Sequence, residues 1–176
     1  ARELEALHAE DPDVGADVAA LAHHALAELL ERCRVGRLTR HQHILLRLGA
    51  LISQAEGAAA FARRAHRAAA KQLHPKAAKG LRAKALAPAA RVYARNAALT
   101  VATEAVRLVA GSEGGDVGDL EQRLGLPAIH RAQASLLEMG AVVAALPPGC
   151  VWSLAGIGNA QLPVTATAIA AGAGIR

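Results

Sequence analysis

Apolar side chains recur at steps of three and four residues along most of the chain, and this spacing constrains the fold more than any other feature. Such a repeat places the apolar side chains on one side of an α-helix. One stripe of this kind starts after the Asp-Pro-Asp break at residues 11–13 and predicts a helix that ends near Cys33. Aspartate suits a helix start because its carboxylate accepts hydrogen bonds from free N–H groups.

The same spacing predicts a second, longer helix from Thr39 to about Gln72. This helix ends there because the residue before Pro75 is pushed away from the α-helical region of backbone space. Gly49 and Gly57 fall inside it, and each costs roughly 1 kcal/mol relative to alanine. We expect these glycines to let a neighbouring helix approach closely.

Two further helices are predicted, one on each side of a glycine-rich loop. The third runs from Ala89 to Ala110 and begins just after Pro88, because proline is tolerated in a first turn. It is apolar on most of its sides, which is typical of a central, buried helix. The fourth helix is predicted from Pro127 to about Leu146.

Four main helices joined by short connections predict an all-α fold, an antiparallel four-helix-type bundle. Alanine and leucine carry most of the 53% hydrophobic content, because the aromatic residues are only Phe61, Tyr93 and Trp152. This composition favours close-packed helices and disfavours an all-β fold. We predict a helical bundle domain over residues 1–149, followed by an irregular Ala/Gly-rich tail over residues 150–176.

The sequence pattern predicts neither a membrane span nor a secretory signal. No apolar run reaches the length of a span, and the first residues lack a signal-peptide pattern, so we expect a cytoplasmic location. The two cysteines, Cys33 and Cys150, make neither a disulfide framework nor a four-cysteine zinc site. We expect each to be a small core side chain or a plain surface thiol.

Charge is divided unevenly along the chain. Residues 1–33 hold eight acidic and two basic side chains, whereas residues 34–100 hold fourteen basic side chains and one acidic one. Several bases share one side of the second helix, because they are spaced for neighbouring turns. We call this group the basic face; it consists of Arg63, Arg64, Arg67 and Lys71.

The basic face is the one candidate binding site in the sequence. Such a group is often only solvated, but it also fits a protein partner or an anionic surface. We do not expect a nucleic acid partner, because exposed aromatic residues for base stacking are lacking and the first helix is acidic.

We predict no metal site and no catalytic residue. The histidine pairs at residues 23–24 and 41–43 do not share a helical face, and the single Glu-x-x-His motif at residues 5–8 is too few for a di-metal bundle. Glu56 is the lone acid in an apolar stretch, where a buried carboxylate could act as a general base. We favour a Glu56 that is exposed at the side of the helix or paired with a neighbouring Arg, since no second acid or nucleophile lies near it on that helix.

Two stretches resemble helices of the acyl-CoA dehydrogenase family. Residues 38–66 read LTRHQHILLRLGALISQAEGAAAFARRAH, and residues 87–111 read APAARVYARNAALTVATEAVRLVAG. In the second stretch the likeness is carried by Ala90, Tyr93, Ala94, Ala97, Ala102, Thr103, Ala105 and Val106. The Glu-Gly-Thr segment that bears the base of ordinary members is missing. Over residues 10–149 the chain therefore looks most like the extra C-terminal helical domain of very-long-chain acyl-CoA dehydrogenases.

This resemblance implies a non-catalytic helical domain of an FAD-dependent acyl-CoA dehydrogenase that desaturates long-chain acyl-CoA. It implies no cofactor in this segment and FAD in the parent protein. The implied partners are the catalytic domains of the parent, a second copy in a homodimer, and a membrane surface contacted peripherally. The basic face would make one of these contacts.

Three alternatives stay open at this point. The chain could be a free-standing helical interaction module whose basic face binds a protein partner or an anionic surface. It could be a self-sufficient helical enzyme that uses Glu56 and a histidine. It could also be a basic helical module for nucleic acid, which predicts an affinity that falls steeply with salt.

Overall fold

The computed structural model describes residues 1–74, 76, 83–113, 117–133, 144, 153–154 and 174–175. Its helices, in chain order, are α1 (Arg2–Glu10), α2 (Ala16–Val35), α3 (Gln42–Ala69), α4 (Ala83–Glu113), α5 (Val117–Arg123) and α6 (Leu126–Arg131). Short 3₁₀ turns at Pro12–Val14 and Leu38–Arg40 precede α2 and α3. A two-residue parallel pair joins β1 (Ser153–Leu154) to β2 (Gly174–Ile175). Apart from this pair, the described chain is all-α, as predicted.

The long helices α2, α3 and α4 run antiparallel in turn. Arg47 of α3 pairs with Glu104 of α4, whereas Gly57, further along α3, lies against Tyr93, which comes earlier in α4. α2 and α3 meet at their middles, where the His23 ring donates to the carbonyl oxygen of Ala55. The start of α2 lies at the end of α3, because Asp11, just before α2, is 3.2 Å from the His66 ring. The antiparallel packing predicted from the sequence is therefore confirmed for these helices.

The core lies between α2, α3 and α4 and is built mostly from alanine and leucine. Gly57 leaves room beside this core for a side chain of α4. A Cβ atom added there would lie 2.7 Å from the hydroxyl oxygen of Tyr93. A side chain of α4 thus takes the space that Gly57 leaves, and Gly49 has no neighbouring atom within 4 Å of such a Cβ, so neither glycine shows the expected close approach of a helix backbone. Cys33 is fully buried in this core.

Helix boundaries differ from the prediction at both ends of the chain. The sequence reading missed α1, which is short and strongly acidic and buries only Leu4. α4 begins before the predicted start, so Pro88 lies inside it rather than beside its first turn. Proline has no N–H group, so the Lys84 carbonyl lacks its usual helical donor.

The predicted fourth helix is present as α6, which begins after Gly125 in the left-handed conformation (φ 73°). It ends at Arg131, and Gln133 then donates from its side-chain amide to the carbonyl oxygens of Arg95 and Ile129. Residues 134–143 and 145–146 of the predicted helix, and most of the predicted tail, lie outside the described residues.

Among the described residues, one helix, α3, is long and apolar enough to cross a membrane by length and composition. The sequence reading had predicted no such run. A third of the qualifying stretch is buried, and its buried side chains pack on α2 and α4, so a core helix of a bundle meets the same criterion.

Candidate functional site

The structure brings the basic face together at the carboxyl end of α3. Arg63, Arg64 and Arg67 lie in its last turns, and Lys71 follows the helix in a left-handed conformation (φ 57°). α3 ends at Ala69, earlier than predicted. Arg64, Arg67 and Lys71 are exposed, while Arg63 is half-buried. Helical spacing therefore holds for the three arginines but not for Lys71, which lies beyond the helix, and the role of all four residues stays a prediction.

Acidic side chains from the start of the chain lie against this end of α3. A guanidinium nitrogen of Arg63 is 3.7 Å from a carboxylate oxygen of Glu3. The His66 ring has Nδ1 at 3.2 Å from Asp11 Oδ2 and Nε2 at 3.9 Å from Glu10 Oε2. Part of the charge asymmetry seen in the sequence is therefore complementarity between α1 and α3 inside one chain.

A shallow cavity lies at the opposite end of α3, where it meets the end of α4. Its volume is about 240 Å³, below the roughly 300 Å³ at which small-molecule sites begin. Glu104 accepts hydrogen bonds of 2.8 Å from both Arg47 and Arg107 at its rim. The remaining lining comes from His43, Ile44, Leu108, Gly111 and Ser112. This cavity holds a structural ion-pair cluster and lacks the volume for a typical metabolite.

Glu56 lies at the surface, with 62% of its side chain exposed. The His23 ring lies beside it, with Nδ1 3.9 Å from a Glu56 carboxylate oxygen, while the ring's Nε2–H donates to the Ala55 carbonyl oxygen at 3.1 Å. The favoured interpretation of an exposed Glu56 is confirmed.

The histidines do not assemble a metal site in the described part of the chain. His41 and His43 have ring centroids 5.9 Å apart and are tilted relative to each other. His24 instead donates from Nε2 to the carbonyl oxygen of Arg123 at 3.0 Å, which ties α2 to the end of α5. No group of three His, Cys, Asp or Glu side chains with ligand spacing occurs among the described residues.

Sequence reasoning missed an exposed apolar group on the outer side of α3. Leu46 is 72% exposed, Leu45 is 49% exposed and Ile52 is 39% exposed. The signal was present, because Ile44 and Leu48 occupy the buried stripe and the leucines between them then point outward. Together with Arg67 and with Lys71, which follows the last turn of the helix, these side chains form the outer face of α3, and we use that name below.

One family model matches the chain, that of the beta-keto acid cleavage enzyme, over residues 119–176. The match covers about a third of the chain and includes α5, α6 and the parallel strand pair. No curated protein and no solved structure matches the sequence.

The match corrects the interpretation drawn from the acyl-CoA dehydrogenase resemblance. That resemblance ran through residue 149, whereas the family found from residue 119 onward is a different one. The prediction of a non-catalytic domain of an FAD-dependent acyl-CoA dehydrogenase is therefore wrong. The likeness rested on alanine spacing in α3 and α4, and close helix packing requires that spacing in many unrelated bundles. The expectations of FAD, a homodimer and dehydrogenase catalytic domains as partners were drawn from the same resemblance, and no finding tests them.

Proposed function

We propose that this chain belongs to a protein that acts on a β-keto acid, and that residues 119–176 contribute to the substrate site. The observation that carries this proposal is the match of that segment to the beta-keto acid cleavage enzyme family. The matched segment includes α5 and α6, which are continuous with the bundle through α4, so helices and matched segment are parts of one chain.

The strand pair supports the same proposal. β1 and β2 are parallel, with Ser153 opposite Gly174 and Leu154 opposite Ile175, and residues 155–173 connect them. Parallel strands need a connection of at least about a dozen residues, and the sequence between these two is long enough. In open sheets of parallel strands, ligands bind beyond the carboxyl ends of the strands. The carboxyl end of this pair is therefore the place in the matched range where we look for a substrate site.

The chemistry of the substrate selects a residue to test. A β-keto acid carries a carboxylate, and arginine is the side chain that binds carboxylates with two parallel hydrogen bonds. After Glu138, the one charged side chain in the sequence is Arg176. Arg176 directly follows β2 in the sequence, on the carboxyl side of that strand. We assign Arg176 the role of binding the carboxylate of the substrate.

The experiment is a binding titration of the full chain with 3-oxobutanoate, read by ligand-detected NMR. We expect binding to the unmodified chain and a loss of about tenfold or more in Arg176→Gln, since a charged hydrogen bond is removed. Arg131→Gln is the matched control, because it removes an exposed arginine from the same segment, and it should bind like the unmodified chain. Absence of binding, or equal binding by both variants, would contradict the proposal.

A further inference from the structure

We propose that the outer face of α3 binds the surface of an anionic lipid bilayer. In this arrangement Leu45, Leu46 and Ile52 enter the headgroup region, and Arg67 and Lys71 contact anionic headgroups. The inference is independent of the β-keto acid and concerns a different part of the chain.

The outer face divides into an apolar half and a cationic half along one helix. The leucines lie near the start of α3 and Ile52 two turns later, and all three are exposed. Small side chains, such as Ser53 and Ala60, follow on the same side. Arg67 and Lys71 then lie at the far end, also exposed. Apolar side chains with basic ones alongside are the pattern of helices that lie in the membrane interface.

Orientation follows from the buried side of the same helix. Ile44, Leu48 and Leu51 are at most 4% exposed, and they are followed by a series of buried alanines. These side chains pack against α2 and α4. Crossing a bilayer would require α3 to leave that core, so we infer that α3 lies on the surface with its outer face toward the lipid.

Charge decides between a membrane and a second copy of this chain. α3 carries one acidic side chain, Glu56, and the turns before the helix add Arg37 and Arg40. Two copies joined along the full length of their outer faces would place cations against cations, which costs free energy. An anionic bilayer offers the opposite charge to the exposed basic side chains at both ends of the helix, and each of them near the bilayer adds to the attraction.

The solvent exposure of the leucines favours a membrane over an acidic protein as the partner of this face. Leu46 is the most exposed large apolar side chain among the described residues, and Leu45 stands beside it on the same turn. Both side chains project from the helix into solvent, Leu46 with 72% of its surface exposed and Leu45 with 49%. Protruding aliphatic side chains suit insertion between lipid headgroups, whereas a protein partner would require a matching pocket.

The experiment is flotation of the full chain with vesicles of phosphatidylcholine, with or without about 30% phosphatidylserine, to supply a surface charge. We expect at least about tenfold more protein on the anionic vesicles, and a loss of that preference in about 0.5 M salt as the charges are screened. Two variants test the two halves of the face: Leu45→Ser with Leu46→Ser, and Arg67→Glu with Lys71→Glu. Each should lower binding by about tenfold.

Matched controls lie on other helices. Leu30→Ser with Val35→Ser removes two exposed apolar side chains from α2, and Arg107→Glu with Arg131→Glu reverses two exposed charges on α4 and α6. Both controls should bind like the unmodified chain. Helix content measured by circular dichroism shows that every variant remains folded.

Equal binding to neutral and anionic vesicles would overturn the proposal, and so would equal losses in the face variants and the controls. Full binding by the leucine variant with loss in the charge variant would also overturn it. That last result would mean that the face recognises anionic charge alone, as an acidic protein partner offers.

Discussion

The two halves of α3 pack against the rest of the bundle with buried side chains of different size. In the first half the buried side is made of large side chains, Ile44, Leu48 and Leu51. In the second half it is made of alanines only, and Gly57 lets the Tyr93 side chain pack directly on the helix. One helix therefore meets its neighbours through large side chains at one end and through small ones at the other. The two halves should respond in opposite ways to changes in side-chain size.

The largest effect is expected from removing volume in the first half. Leu48→Ala should lower the free energy of unfolding by about 2–5 kcal/mol, because the lost side chain leaves a cavity in a packed core. Urea unfolding followed by circular dichroism measures this change. Leu45→Ala, at an exposed position of the same half, is the control and should change stability by less than about 1 kcal/mol. Equal losses in the two variants would show that the core does not run along this side of α3.

The second half should be sensitive to added volume instead. Ala59 is fully buried, so Ala59→Leu should cost about 1–3 kcal/mol or more by forcing the helices apart. Ala60→Leu makes the same chemical change one residue further, at an exposed position, and should be close to neutral. The same urea titration compares the two variants. A tolerated leucine at Ala59 would mean that the helices are further apart than the alanine packing implies.

Ion pairs at the two ends of α3 should also differ, by a smaller amount. Glu104 is 22% exposed and holds both Arg47 and Arg107, whereas Glu3 is 89% exposed and meets Arg63 at 3.7 Å. Glu104→Gln should therefore cost about 1 kcal/mol and Glu3→Gln less than about 0.5 kcal/mol, since exposed pairs contribute little. Unfolding in low and high salt is the measurement, and salt should reduce the difference. A larger loss of stability in Glu3→Gln than in Glu104→Gln would contradict this prediction.

The smallest effect is expected from the ion pair between Glu31 and Arg34 on α2. Both side chains are exposed, so this pair shows how much an exposed ion pair contributes to stability. Hydrogen bonding from Arg34 lowers the pKa of Glu31 below its usual value, and the same pair raises the pKa of Arg34. A carboxyl with a lowered folded-state pKa stabilises the protein above its unfolded-state pKa, and this contribution is lost as the pH falls through the folded value. Removing it by Glu31→Gln should slightly flatten the acid side of the stability profile, measured by thermal unfolding between neutral and acidic pH. An unchanged acid limb would show that the pair does not persist in solution.

The sequence was sufficient for the parts of the fold that repeat along one helix. α2 and α3 were predicted within a few residues, because their buried positions follow a regular spacing. α1 was missed because its stripe is only Leu4 and Leu7 in an otherwise acidic segment, and it is held by contacts with α2 and α3 rather than by its own pattern. The start of α4 was misplaced because a proline can sit deeper in a helix when tertiary packing holds the turn before it.

For the candidate site, too, the sequence predicts local groupings but not contacts between distant parts of the chain. Helical spacing was enough to group Arg63, Arg64 and Arg67, but it could not show that Glu3 and Asp11 approach that end of α3 from far along the chain. Pairings of this kind depend on how whole helices are arranged.

The family interpretation was wrong for a related reason. Alanine spacing indicates close helix packing and carries little information about chemistry.

The tyrosine that packs on Gly57 is also a spectroscopic probe of the fold. Tyr93 is the single tyrosine and meets Phe61 edge-on with ring centroids 6.0 Å apart, while the single tryptophan, Trp152, belongs to the segment matched by the enzyme family. Absorption and emission of the two chromophores can be separated by wavelength. The signal of Tyr93 therefore reports the junction of α3 with α4, and that of Trp152 reports the matched segment, so the unfolding of the two parts can be followed in one sample without any label.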